Sequence, residues 1–174
     1  MLLRYQDFFP TLGPRVFVAQ DADVIGRVTL GEDASVFFHC VLRGDINRIE
    51  IGARTNIQDG TVIHLASDKP TLVGEDVSVG HRCILHACTL KDRVLVGMGS
   101  IVMDDVVVGE DSIIGAGSLL SKGKSYPPGS LIVGSPARVV RPLTEEEKLG
   151  IGALARKYVG VKANYLDSLK KEPN

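Results

Sequence analysis

The chain has no tryptophan, and aromatic residues of all kinds make up only 5% of its 174 positions. That scarcity argues against a core of packed rings and for a narrow aliphatic interior with many tight corners. Apolar runs are short, far below the roughly 20 residues that a bilayer-spanning helix needs. The opening MLLRYQDFFPTLG carries Arg4 and Asp7 where a signal peptide requires an unbroken apolar stretch. Three cysteines, an odd count, suggest no disulfide framework and a reducing compartment, so a cytoplasmic location is expected. Nor does either charge dominate: 20 Lys and Arg face 21 Asp and Glu, a formal net charge of −1. With the cations spread along the chain, neither nucleic acid nor membrane is an expected partner.

Glycine is plentiful, at 19 residues, and aliphatic residues recur at a fixed interval. From Val24 the series runs Leu30, Val36, Leu42, and after RGDINRIE it resumes at Ile51, Ile57, Ile63. A second interruption, LASDKPT, precedes Val73, Val79, Leu85; one residue is then dropped, and Leu90, Val96, Val102, Val108, Ile114, Leu120 follow. Glycine often comes next (Gly31, Gly52, Gly74, Gly80, Gly97, Gly109), and a small or β-branched residue commonly sits four positions on. Strands alternate at period two and helices at 3.6, so neither alone explains period six. Six is the repeat of a β-helix, in which each hexad forms one short strand and one corner, with glycine easing the turn. Three hexads make a coil, and coils stack at roughly 4.8 Å. The chain resembles the left-handed β-helix family, and the handedness rests on that resemblance.

Sorting hexads by threes predicts three faces of a prism. Leu30, Ile51, Val73, Leu90 and Val108 stack on the first; Val36, Ile57, Val79, Val96 and Ile114 on the second; Leu42, Ile63, Leu85, Val102 and Leu120 on the third. The expected fold is an all-β solenoid, a parallel β-helix of hexapeptide repeats with a C-terminal α-helix, forming one domain. Residues 1–23 are assigned to an N-terminal cap, 24–141 to the β-helix and its closing segment GSPARVVRPL, and 142–171 to the helix. The interruptions around Asp45 to Glu50 and Leu65 to Thr71 are expected to project from corners as loops. Thr144 followed by three glutamates marks the helix start. Leu154, Tyr158, Val161, Tyr165 and Leu169 recur at helical spacing, for a helix lying on the prism or on a neighbouring copy.

Three of the four histidines fall close together in this frame. His64 follows Ile63 and His86 follows Leu85, so both occupy one outward position on adjacent coils, about 4.8 Å apart. With metal–nitrogen bonds of about 2.0–2.1 Å, that spacing lets both rings share one ion. A lone histidine on a β-helix is ordinarily a surface or stacking residue, but two in register are a different matter. His81, near a corner of the second face, points elsewhere; a threefold assembly brings it to the His64/His86 pair of a neighbour. Arg43 occupies the His64 position one coil below, and Asp59 lies one coil below His81, so the same assembly draws Arg43 towards Asp59. Asn56 and Gln58 lie beside them and are candidates to orient a water or substrate oxygen, although such polar residues also simply form turns. His39 has no partner in its column and is assigned a structural role. Cys40 and Cys83, two coils apart, are about 9–10 Å from each other and beyond disulfide reach. Cys88 is expected to pack at the one-residue deletion rather than to serve as a thiolate ligand.

RGD (Arg43 to Asp45), NIQDG (Asn56 to Gly60), His64 and GHRCILH (Gly80 to His86) together resemble the γ-class carbonic anhydrase family, over nearly the whole chain. The resemblance implies a homotrimer with Zn²⁺, or alternatively Fe²⁺ or Co²⁺, held by His64 and His86 of one subunit and His81 of the next. It implies an Arg43–Asp59 interface pair with Asp45 beside it, Gln58 at the water and Asn56 in the pocket. The implied reaction is reversible hydration of CO2 to bicarbonate, with hydroxide on the metal as nucleophile. The chain departs from the founding pattern in its loop after His64, whose only acid is Asp68, and in having Ile46 at a position where a second site glutamate is found. Proton export is then left to Tyr158 or to buffer. Other readings stay open: a hexapeptide-repeat acyltransferase, which shares the GSPA segment, a thioesterase, or a metal-stabilised trimeric scaffold.

Overall fold

In a computed structural model describing residues 1–170, the chain winds into a left-handed parallel β-solenoid of about seven turns with a single helix at its C-terminal end. The three predicted columns are all realised in register. Leu30↔Ile51↔Val73↔Leu90↔Val108 pair on the first face, Val36↔Ile57↔Val79↔Val96↔Ile114 on the second, and Leu42↔Ile63↔Leu85↔Val102↔Leu120 on the third. Every one of these side chains points inward and is buried. The winding also starts earlier than Val24: Leu12 pairs with Leu30 and Val18 with Val36, so part of the N-terminal segment already forms a coil.

Two local expectations need correction. The glycines that follow the inward aliphatics are not at positive φ, so they do not ease a turn. They permit close stacking instead: a Cβ on Gly52 would lie 2.4 Å from the Gly74 carbonyl, and one on Gly97 would lie 2.4 Å from Ala116 N. The left-handed corners carry other residues, including a vertical series with φ between 53° and 59°: Arg15, Asp33, Arg54, Asp76, Arg93 and Asp111. Asp tolerates this backbone region better than most residues. The alternating signs also pair along the edge, as in the two-pronged bond from Arg54 to Asp76, with both contacts at 2.8 Å. The second correction concerns Asp45 to Glu50. This stretch is not a free loop but part of one continuous strand, Val41–Ile51, which bulges between Gly44 and Ile49 where it passes Arg27.

The helix α1 (Glu145–Leu169) starts at Thr144 with a full capping box, Thr144 and Glu147 exchanging side-chain and backbone bonds. The assigned end at residue 171 lies outside the described residues. The helix lies on the second face of its own chain, against the strands Phe17–Val18, Ser35–Val36, Asn56–Ile57 and Ser78–Val79. Ile151 and Ala155 are buried there, whereas Leu169, expected on the packed stripe, faces solvent. Tyr165 stacks on Phe17 with ring centroids 5.3 Å apart, and Tyr158 meets Phe37 edge-on at 5.6 Å. Lys162 is 2% exposed and donates to Arg15 O and Asp33 Oδ1, both at 2.6 Å, which ties the helix to the charged edge.

Gly97→Ala should lower stability by about 2 kcal/mol or more, because the clash is with the backbone of the next coil. Gly99→Ala, at φ +70° with open space around it, should cost only about 1 kcal/mol of left-handed strain; urea unfolding of the two variants distinguishes a spacing role from a turning role. The Arg15 hydrogen bond, assisted by Lys162, holds the Asp33 carboxyl at about 2. Because that lies below the unfolded value of about 3.9, its contribution is complete above roughly pH 4 and fades as pH falls towards 2. Stability curves of wild type and Asp33→Asn should therefore converge over that interval.

Candidate metal centre

His64 and His86 end the third-face strands Val62–His64 and Ile84–His86, which pair in register, His64 opposite His86. Strand alternation turns Ile63 and Leu85 into the core and the two imidazoles out. The rings lie side by side, His64 Nδ1 being 3.3 Å from His86 Nε2. Their other nitrogens face carboxylates: His64 Nε2 is 2.9 Å from Asp45 Oδ1, and His86 Nδ1 is 3.2 Å from Asp104 Oδ1. When each ring donates its N–H to its carboxylate, two lone pairs are left pointing at one another. That arrangement is unfavourable by itself and suits a cation between the rings. The separation also agrees with the roughly 3.3–3.4 Å edge of a tetrahedral site built with bonds of about 2.0–2.1 Å. Carboxylate-backed imidazoles of this kind are the usual surroundings of a zinc ligand. The donor set therefore fits Zn²⁺.

Asp45 gets its place from the bulge. It accepts from Arg43, two residues earlier on the same strand, as well as from His64. Burial works to raise its pKa, but the bonds from His64 and Arg43, with the Arg43 charge, outweigh burial and hold it below its ordinary value. The loop after His64 is pinned as well. Asn47 Nδ2 donates to Ser67 O at 3.1 Å, and Lys69 forms an ion pair with Asp105.

His81 stands at the other end of the third face, at the corner that leads into Ile84. It is 2.7 Å from Asp59 Oδ2 through its Nδ1. Among the described residues, no group of three or more His, Cys, Asp or Glu comes together to hold a metal within one chain. Likewise Arg43 and Asp59 each find a partner within the chain, Asp45 and His81, and not one another. A cavity of about 320 Å³ borders His81, lined among others by Gln58, Leu154 and Tyr158. Gln58 Nε2 donates to Asn56 Oδ1 at 3.0 Å, and Asn56 donates to Ser78 Oγ at 2.8 Å. Asn56 is thus fully buried beneath α1 as the link that orients Gln58, whose carbonyl oxygen is left for the cavity. Burial, and secondarily the Asp59 charge, raises the Tyr158 pKa, so near neutral pH its hydroxyl can relay a proton but not persist as a phenolate.

Residues 87–122 match the family model described as bacterial transferase hexapeptide (six repeats). Protein YrdA of Escherichia coli is 45% identical over 174 residues, with 96% of this chain and 95% of YrdA covered. The carbonic anhydrase of Geobacillus kaustophilus is 38% identical over 172 residues, with 99% of this chain and 94% of that protein covered. The chain belongs to the γ-class carbonic anhydrase family. A hexapeptide transferase family protein from Anaplasma phagocytophilum, 45% identical, superposes with a TM-score of 0.91 over 95% of this chain and 98% of that one. As with this γ-class chain, then, the fold is shared between proteins named for lyase and for transferase chemistry. The histidines and their register were legible in the sequence; Asp104 was not. Its only signal is the dropped residue after Leu85, which makes the His86 coil turn its corner one residue sooner than the coil above.

The cysteines carry no part of this centre. Cys40, Cys83 and Cys88 are free thiols and buried, and burial pushes Cys40 up to about 11 and Cys88 to about 12. A disulfide-forming reagent at pH 8 should therefore leave the native protein unmodified over minutes and titrate three thiols after unfolding.

Proposed function

We propose that this chain is a metal-dependent carbonic anhydrase that works as a homotrimer, hydrating CO2 reversibly to bicarbonate, with Zn²⁺ held by His64 and His86 of one subunit and His81 of the next. The two imidazole nitrogens facing one another at 3.3 Å, each ring with a carboxylate beside its other nitrogen, carry this reading. The family adds the reaction, because the relative from Geobacillus kaustophilus bears the name carbonic anhydrase.

The outside of the third face supports the trimer. Val62, Ile84 and Ile101 pair in register there and are 40%, 42% and 38% exposed. They form an apolar ridge between the two corners that bear the histidines. Three copies packed with their third faces around one axis would bury the ridge and bring the His81 corner of each chain against the His64/His86 corner of the next. Arg43 and Asp59 occupy those same two corners, so the contact that completes the ligand set also sets opposite charges together. A bound Zn²⁺ supplies Lewis acidity, lowering the pKa of a water from 15.7 to about 7. The chain's own groups have distinct tasks: Gln58, held by Asn56, offers a carbonyl oxygen to orient the water, and Tyr158 relays a proton towards solvent. Ion pairing of Lys69 with Asp105 fixes the short loop after His64, whose exposed acid, Asp68, leaves part of proton export to buffer.

An acyltransferase reading draws on the transferase naming of the hexapeptide repeat and of the structure from Anaplasma phagocytophilum, but it assigns no use to paired imidazoles. Zinc-loaded protein should contain one metal per chain, and CO2 hydration followed by stopped flow should rise with buffer concentration. His81→Ala should lose the metal while keeping the β-helix and α1. Mixing His81→Ala with His64→Ala chains should restore a minority of sites in mixed trimers. No rescue despite demonstrated subunit exchange rejects the shared centre, and zinc-loaded protein without hydration above buffer rejects the reaction.

A further inference from the structure

The coil that ends in His86 is shorter than the one stacked on it, and that difference has a chemical consequence. Below the corner, Leu85 pairs with Val102; beyond it, Thr89 pairs with Val107. Between those fixed points the lower coil uses three residues, His86, Ala87 and Cys88, and the upper uses four, Met103, Asp104, Asp105 and Val106. Ala87 and Asp105 both take the left-handed turn, with φ of 46° and 61°, and Asp105 N–H donates to Ala87 O at 2.9 Å. The turns therefore stack, and Asp104 is the residue the lower coil lacks. Its carboxylate leans to the His86 ring, with Oδ1 3.2 Å from Nδ1, while the Asp104 backbone carbonyl accepts from Gly123 N–H at 2.8 Å and fixes the upper turn. Asp105, its neighbour, faces the other way and is taken up by Lys69.

We propose that Asp104 is a positioning residue of the centre: its carboxylate, 3.2 Å from His86 Nδ1, favours the proton on that nitrogen and so keeps the Nε2 lone pair turned towards His64. A neutral imidazole has one N–H and one lone pair, and the nitrogen that faces a carboxylate is the one that favours the proton. Among the described residues Asp104 is the one side chain facing His86 Nδ1, so without it the proton is free to sit on Nε2. The ring would then offer His64 a donor, and the pair would close on itself as an imidazole–imidazole hydrogen bond at 3.3 Å. In that state one donor site is lost. Asp45 plays the matching part for His64, but through the bulge of its own strand, whereas Asp104 acts from the next coil. The inference rests on the paired-imidazole reading above, yet it concerns the apo ring and can be tested without metal.

The experiment is long-range ¹H–¹⁵N spectroscopy of the histidine rings in apo wild type, Asp104→Ala, Asp104→Glu and the corner control Asp105→Asn, at a pH where imidazole is neutral. Each protein's zinc affinity is then measured by competition with a chromophoric chelator. In wild type His86 should be the Nδ1–H tautomer. Asp104→Ala should move it to Nε2–H and weaken zinc binding by about 10–100-fold. Glutamate should restore the tautomer at least in part, and Asp105→Asn should leave it unchanged. The proposal is overturned when His86 in Asp104→Ala keeps the wild-type tautomer, or when the Asp105→Asn control shifts the ring as much. Wild type that takes up no zinc defeats the carbonic anhydrase reading instead, and the tautomer comparison still decides the role of Asp104.

Discussion

Hydrogen bonds between successive coils set a vertical pitch of about 4.8 Å, and every feature on the outside of this molecule is measured against that pitch. It brings His64 and His86 within reach of one ion, and it stacks opposite charges along the Arg54–Asp76 edge. It also leaves no room for a Cβ at Gly52 or Gly97. The ladder tolerates no slip: a shift of one residue would exchange Ile63 with His64 and place an imidazole among the buried aliphatic side chains of Leu42, Ile63 and Leu85. The penalty for burying an imidazole without partners protects the register. The site is thus specified by the same hydrophobic ladder that makes the prism stable.

Departures from the repeat are where chemistry enters. The bulge in the strand Val41–Ile51 turns Asp45 back onto His64, which a regular hexad could not do, since consecutive outward residues point away along the strand. The interruption after His64 lengthens one corner and gives Lys69 access to Asp105; the deletion after Leu85 shortens the next corner and gives Asp104 access to His86. On the opposite side, α1 covers buried polar groups that the second face could not leave unmatched in an apolar contact: Asn56 and Ser78 bond to each other beneath it. The buried ammonium of Lys162, bonded to Asp33 and the Arg15 carbonyl, determines where along the prism the helix rests. Through Leu154 and Tyr158 that placement forms one wall of the His81 cavity.

What the sequence discloses follows from which interactions are periodic. The inward columns, the His64/His86 register and the Thr144 cap are local or strictly repeating, and they were legible without coordinates. The role of the glycines was misassigned because period six marks where a small residue is needed but not why. The backbone of the neighbouring coil supplies the reason at Gly97, not a left-handed φ. The corner series from Arg15 to Asp111 lies in plain view as alternating signs at equivalent hexad positions, but it emerges only when residues 17–22 apart are compared as vertical neighbours. Asp104 was hidden for a stronger reason. Its contact with His86 depends on two coils cutting one corner differently, and no count along a single repeat expresses that.

In the proposed trimer, a centre divided between chains would also couple metal to assembly. Each copy alone presents two imidazole nitrogens 3.3 Å apart on one corner, and on the far corner a third imidazole beside Asp59. Metal that binds only where the corners meet stabilises the trimer by mass action, and trimer formation in turn raises metal affinity by the same factor. The apolar ridge of Val62, Ile84 and Ile101 lies between the two corners, so in the proposed trimer desolvating it and completing the ligand set would be one event and not two. The Asp59–His81 contact is then not a rival to metal binding. With the Asp59 carboxylate 2.7 Å from Nδ1 of His81, the proton is favoured on that nitrogen and Nε2 is left for the neighbour, the same carboxylate-backed device proposed for His86.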